Sequence, residues 1–226
     1  MRGAITIGVE PSREQTSVRL LFLLDRLGDS CSGSDDPPPD AVRVIRAQRK
    51  IQKLDFLLRN PDYLANEVIS AVEDGRLTTQ SLLDAQRALH GPEPQLHTYR
   101  MLRDQHGAFE PLNDALLVLK HLGLITIRRA GAVGDDYVRR RDYFLLAPGV
   151  AQAEKLRADV PELSWYDTQC ALLAQVVGGL TGGQLKALEY SYPEYANAVP
   201  GQLIGGISDR VRERLSEAMK REGLGA

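Results

Sequence analysis

Five arginines crowd one short stretch of this 226-residue chain: Arg128 and Arg129, then Arg139, Arg140 and Arg141. Guanidinium groups stay charged at physiological pH and form forked hydrogen bonds to phosphate or carboxylate oxygens. The chemistry open to this cluster is therefore anion binding, to a nucleic-acid backbone or to an acidic protein surface. Asp135, Asp136 and Asp142 stand among the arginines. They leave a second reading, a solvated hairpin whose charges guard a strand edge against aggregation. A second basic group, Arg43, Arg46, Arg49, Lys50 and Lys53, has only Asp55 to balance it before Arg59. It reads either as a docking face for an acidic partner or as a solvated face pairing with acids such as Glu73 and Asp74.

Residue patterns for bond-making chemistry are missing. His90, His97, His106 and His121 are never four apart, and no HExxH or HxH run occurs, so no metal ligand set is indicated. Cys31 and Cys170 stand alone, without CxxC or Cys/His spacing. The pairs Gly178-Gly179, Gly182-Gly183 and Gly205-Gly206 lack the spacing of a phosphate loop. No GxSxG marks a nucleophile. The expectation is a non-enzyme with no cofactor. A formal net charge of −2 and a pI near 6.1 exclude a global cationic field, so any nucleic-acid contact must be local. The first residues have no signal-peptide pattern, and the longest apolar run, Leu20 to Leu24, falls far short of a membrane span. A cytoplasmic protein is expected.

The arginine cluster needs a hairpin beneath it, and the sequence supplies one. An apolar helix from Pro111 to Leu122 ends at Gly123, where a left-handed C-cap wants glycine. Strands follow at Leu124–Arg129 and Tyr137–Leu146, with a Gly/Asp-rich turn at 130–136 between them, and Pro148 opens the next helix. Helix, hairpin, helix is the order of the second half of a winged-helix domain. A helix that reads bases should be polar, yet between Pro111 and Leu122 only Asn113, Asp114, Lys120 and His121 are not apolar. That composition favours protein contact over base reading.

Other elements flank this core. Residues 4–9 could form an edge strand. Ser12–Leu27 reads as a helix stopped by Gly28, and a Pro- and Asp-rich loop covers Asp29–Asp40. Apolar spacing at Val44, Ala47, Ile51, Leu54 and Leu58 predicts one long helix over Asp40–Arg59, and Asn60-Pro61-Asp62 opens the next. A helix is expected over Thr79–Leu89, and a short helix or irregular link over Gln95–His106. Beyond the hairpin, helices are expected at Ser164–Val177, after Thr181, and from a Ser208 cap to Glu222. Val211, Leu215 and Met219 make a narrow apolar stripe on the last one, and with Tyr190, Tyr192 and Tyr195 they are the candidate partner interface. Trp165 and Tyr166 belong to the same aromatic group. The fold class is mainly α (α+β), a winged helix-turn-helix core with one β-hairpin wing and additional N- and C-terminal helices. The core spans 1–160 with its wing at 124–146, and a helical extension spans 161–226.

The segment Leu116–Ala153, with Leu-Gly-Leu-Ile closing a helix and Tyr-Phe-Leu-Leu-Ala-Pro-Gly-Val-Ala closing the wing, resembles many bacterial winged-helix proteins. Ala147 stands where those carry threonine. Val18-Arg-Leu-Leu-Phe-Leu-Leu-Asp-Arg-Leu and Lys50-Ile-Gln-Lys-Leu-Asp-Phe-Leu-Leu-Arg-Asn-Pro-Asp-Tyr-Leu are similar to middle components of ABC-three-component systems. That resemblance covers about half the chain and carries no catalytic residue. It implies a non-catalytic adaptor that joins an SMC-like ATPase to an effector in anti-phage defence, touching protein subunits and no membrane, with a DNA backbone as a further candidate contact. The alternative is a DNA-binding transcriptional regulator, a homodimer that grips phosphates through its arginine-rich wing.

Overall fold

Ser12 opens the first element: its hydroxyl accepts the Gln15 amide while the Gln15 side chain accepts the Ser12 amide, a reciprocal capping box. The computed structural model describes residues 12–32, 36–90, 102–104, 107–109, 112–130, 140–177 and 179–224. In chain order the elements are α1 (Arg13–Leu27), β1 (Asp29–Ser30), β2 (Ala41–Arg46), α2 (Gln48–Arg59), α3 (Pro61–Glu73) and α4 (Ser81–His90). Next come β3 (Leu102–Asp104), β4 (Gly107–Phe109), α5 (Asn113–His121), β5 (Ile125–Ala130), β6 (Arg140–Leu146) and α6 (Ala147–Asp159). The last are α7 (Ser164–Val177), α8 (Gly182–Tyr190), α9 (Pro193–Ala196) and α10 (Ser208–Arg221). The fold is mainly helical, α+β, with a small antiparallel sheet in the order β1-β2-β6-β5 that does not close into a barrel, and a separate β3-β4 pair. Residues 4–9, most of the hairpin turn and Arg139 lie outside the described residues.

The expected long helix over Asp40–Arg59 is a strand followed by a helix. β2 takes residues 41–46, and Ala47 at φ 75° breaks the backbone before α2 begins. The spacing misled because Val44 fits a helical stripe equally well. Val44 and Ile45 are adjacent and both fully buried, on opposite faces of the strand: Val44 with Cys31 and Phe144, Ile45 with the main core. β1 and β6 pair with its two edges, and with a separate apolar cluster on each face at Val44 and Ile45 the strand loses the alternating pattern there. The expected link over Gln95–His106 likewise contains a strand, since Leu102–Asp104 pairs with Gly107–Phe109.

Several boundaries fall where residue chemistry put them. Pro61 sits at the start of α3, Gly123 takes φ +68° after α5, and Thr181 caps α8 with a second capping box through Gln184. The expected Ser208 cap is different: α10 begins at Ser208, and Asp62 on α3 supplies the cap instead. Its carboxylate accepts the Ile207 amide at 2.7 Å and the Ser208 hydroxyl at 3.3 Å. One hydrophobic cluster runs from Leu20 on α1 to Met219 on α10. Residues 161–226 therefore contribute to the same core as the sheet and the N-terminal helices.

Candidate docking surface

The hairpin register decides what the arginines can do. Arg129 lies opposite Arg141 and Ile127 opposite Tyr143, while Arg128 lies opposite Asp142 and Ala130 opposite Arg140. Side chains alternate along a strand, so the arginines divide between the two faces of the hairpin. On one face Arg128 reaches Asp36, at 2.6 Å from its carbonyl and 3.2 Å from its carboxylate, and stacks over Phe144. Arg140 on that face is tied to Asp142 at 2.8 Å. Arg129 and Arg141 are on the other face, turned toward α5.

There they border a groove of about 350 Å³ between α5 and the hairpin. Leu116, Leu117, Ile127 and Tyr143 provide its apolar surface; Lys120, Arg129 and Arg141 provide its charge. Among the described residues no carboxylate lines it. Burial pushes the Tyr143 phenol above its ordinary value, against the pull of the neighbouring Arg141 charge.

α5 presents this groove because one of its faces is fixed. Leu112, Ala115, Leu116 and Leu119 are buried, and the Ser17 hydroxyl of α1 donates to the Ala115 carbonyl at 3.0 Å. Helical spacing then sends Asp114, Leu117 and His121 outward, and all three are exposed. Leu117 is 56% exposed and Leu122, just past the helix end, 61%. The helix is half open, and the open half carries Asn113, Asp114, Leu117, Lys120 and His121, with Leu122 just past its end. A second, mostly apolar groove of about 400 Å³ lies on the other side of α5, where Val18, Leu21, Val118, Leu122 and Leu156 come together.

The second basic group is split: the Arg43 and Arg46 side chains are 39% and 41% exposed and Arg49 is exposed, while Lys50 and Lys53 are buried. Arg43 and Arg46 are on β2, not on a helix, and approach Asp25 and Asp29 at 3.9 Å each; Lys50 lies 3.8 Å from Asp29. Lys53 is buried in an ion pair with Glu189 and donates to the Tyr195 hydroxyl at 2.8 Å. The reason is tertiary: the neutralising acids come from distant parts of the chain. Glu73 and Asp74, the acids suggested by proximity in sequence, pair with Arg214 and Arg221 and with Arg76 respectively.

The candidate partner interface is likewise turned inward. Val211, Leu215 and Met219 are buried where α10 lies on α3 and α4. Tyr192 and Tyr195 are buried, and Tyr190 is half-buried. Edge-on ring contacts run from Tyr190 to Tyr195, Phe56, Tyr63 and Tyr192, with centroids 4.9 to 5.5 Å apart. This chain of rings joins α8 and α9 to α2 and α3. The Tyr63 hydroxyl donates to the Gly205 carbonyl at 2.7 Å, and the Tyr192 hydroxyl donates to Glu67. Burial raises the Glu67 carboxyl above its ordinary value despite that bond.

Two further ionic clusters hold the scaffold. Arg19 of α1 donates to Asp55 of α2 at 2.7 Å, both almost wholly buried, with Arg59 alongside. Arg157 on α6 bonds Asp25 and Asp167, and Arg26 bonds Asp167 at 2.7 Å. Burial works against the Asp167 charge, but the bonds from Arg26 and Arg157 outweigh it and hold the carboxyl below its usual range.

Among the described residues no three His, Cys, Asp or Glu side chains gather as metal ligands, and no helix is long and apolar enough to cross a membrane. Compared with known protein families, curated proteins and solved structures, the chain has no significant match. The residues that the sequence reading missed are Leu117, Lys120, Leu122, Ile127 and Tyr143. A period-two reading of 127/129 and 141/143 was the available signal for the last two.

Proposed function

We propose that this chain is a non-catalytic winged-helix adaptor that docks a protein partner in the groove between α5 and the hairpin. The winged-helix reading is supported by the order α1, β2, α2, then α5, β5, β6, with β2 lying beside β6 in the sheet. α3, α4 and the β3-β4 pair are inserted between its second and third helices.

The observation that carries the adaptor role is the outward stripe of α5. A helix entering a DNA groove is served by Arg, Lys, Asn or Gln, and Asp114 there would face phosphates with a like charge. Asn113 and Lys120 share that exposed half, but Asp114, Leu117 and the exposed Leu122 suit a protein surface better than a phosphate backbone. The resemblance to ABC-three-component middle components assigns the partners: an SMC-like ATPase on one side and an effector on the other, in a bacterial complex. The two stretches behind that resemblance meet at the buried Arg19–Asp55 pair, so they support a common scaffold more directly than a common partner.

One observation favours the alternative, a DNA-binding regulator: Lys120, Arg129 and Arg141 border the groove with no acid among its described lining residues. Binding to a random-sequence DNA duplex across a salt series separates the two. The adaptor reading expects no saturable binding at low salt, and a stable complex with the ATPase and effector that Leu117→Asp disrupts. A log-log salt slope equivalent to several phosphates, lost in Arg129→Ala with Arg141→Ala, would replace it with the regulator.

A further inference from the structure

β5 is the last strand in the sheet, and its outer edge pairs with no strand among the described residues. Two hydrogen bonds fix which backbone groups lie on that edge. The Leu146 amide donates to the Leu124 carbonyl at 3.0 Å, so positions 124, 126, 128 and 130 turn their polar groups toward β6. The Ala47 amide donates to the Arg141 carbonyl at 3.1 Å, so Arg141 faces β2 and its opposite number Arg129 faces away from β6. Ile125, Ile127 and Arg129 therefore present their N–H and C=O groups outward. Ile127 and Arg129 of that strand also line the groove, which among the described residues holds three cations, no carboxylate and an apolar surface.

We propose that the partner binds by strand addition: an extended acidic segment pairs with the open edge of β5 and lays alternate side chains into the α5 groove. This rests on reading the surface as a protein-docking site. Backbone bonds to residues 125, 127 and 129 supply the attachment, and the groove selects the side chains. Every second residue of the segment faces α5. Among those, carboxylates meet Lys120, Arg129 and Arg141, and an aliphatic residue covers Leu116, Leu117, Ile127 and Tyr143. The residues between them face the side of the hairpin where Arg128 and Arg140 are already held by Asp36 and Asp142. β5 spans six residues, so a segment of about that length fills the edge.

The test uses the full chain and a fluorescein-labelled peptide, Glu-Thr-Val-Thr-Glu-Thr-Leu, followed by anisotropy. Saturable binding is expected, weakened at least about tenfold when Lys replaces Glu in the peptide. Arg129→Glu with Arg141→Glu in the protein should weaken it as much with an unchanged melting temperature. Two N-methylated peptides give the decisive comparison, one blocked on each edge. Strand addition requires that one lose binding and the other keep it within about threefold. Bound peptide should slow amide exchange at Ile125, Ile127 and Arg129 and leave Thr126 and Arg128, already bonded to β6, unchanged.

Equal binding of both methylated peptides, or no binding of the parent, overturns the proposal. If duplex DNA is also not bound, the docking reading survives that failure. If duplex binds with a steep salt slope, both fall together.

Discussion

Lys53→Met should be among the most damaging single substitutions in this chain. Lys53 and Glu189 form an ion pair with side chains only 2% and 1% exposed, and Lys53 also donates to the Tyr195 hydroxyl at 2.8 Å. Methionine keeps the volume and removes the charge, leaving a carboxylate buried between α2 and α8. Breaking a buried pair from one side costs about 3–5 kcal/mol. For a chain of this size each kcal/mol is worth about 2–4 °C, so the melting temperature should fall by roughly 6–20 °C. Glu189→Leu alone should cost a similar amount for the mirror reason. The double variant Lys53→Met, Glu189→Leu removes both charges together and should recover most of the loss, to within about 1–2 kcal/mol of the parent. Urea titrations of the four proteins give the coupling directly. A coupling energy below about 1 kcal/mol, or single variants that unfold like the parent, would refute the assignment of a buried pair.

The Glu67 carboxyl is raised by burial, so its contribution to stability is full below the ordinary value of 4.5 and is lost as pH rises through the raised one. Glu67→Gln should flatten that dependence and leave the variant relatively more stable at pH 8 than at pH 4.5, read from melting temperatures across pH. Gly149→Ala should cost about 1–3 kcal/mol by overpacking, because its Cβ would press on the Leu124 carbonyl and the Leu145 side chain; stability like the parent's would argue against this placement of α6. Leu117→Asp, at a position 56% exposed, should leave stability within about 0.5 kcal/mol while abolishing partner binding.

What could be read from the chain was mostly punctuation. Pro61, Gly123, Thr181 and the run from Ser164 to Val177 mark their boundaries by local chemistry, which needs no knowledge of the rest of the molecule. β2 was not legible because its burial on both faces depends on β1, β6 and the helices around them. The basic group from Arg43 to Lys53 could not be sorted from sequence for a related reason: a charge looks solvated until its partner is known, and Asp25, Asp29 and Glu189 are close only after folding, burying Lys50 and Lys53 but leaving Arg49 exposed. The hydrophobic stripe of α10 was read as a partner interface; it lies on α3 and α4 of its own chain, which spacing within one helix does not show. The division of the hairpin arginines follows from strand alternation alone, given the strand limits, but which face meets α5 does not.

The cap that α3 extends to α10 has a consequence for the order of events during synthesis. Asp62 is separated from the amide it serves by 145 residues, and Glu67 from Tyr192 by 125. At translation rates of about 5–20 residues per second, those groups wait on the order of 10 s for their partners to be made. Meanwhile α2 and α3 carry Lys53, Asp62 and Glu67 on surfaces destined for the interior, and closing that interior early would bury charges unmatched. The ribosome-bound chain should therefore keep α2 and α3 open to water until the last helices emerge, with stalled chains ending before residue 189 protease-sensitive in this region. A late-forming interior of this kind would hold the whole hydrophobic cluster hostage to its final helices, so that damage near the C-terminal helix is felt at α3.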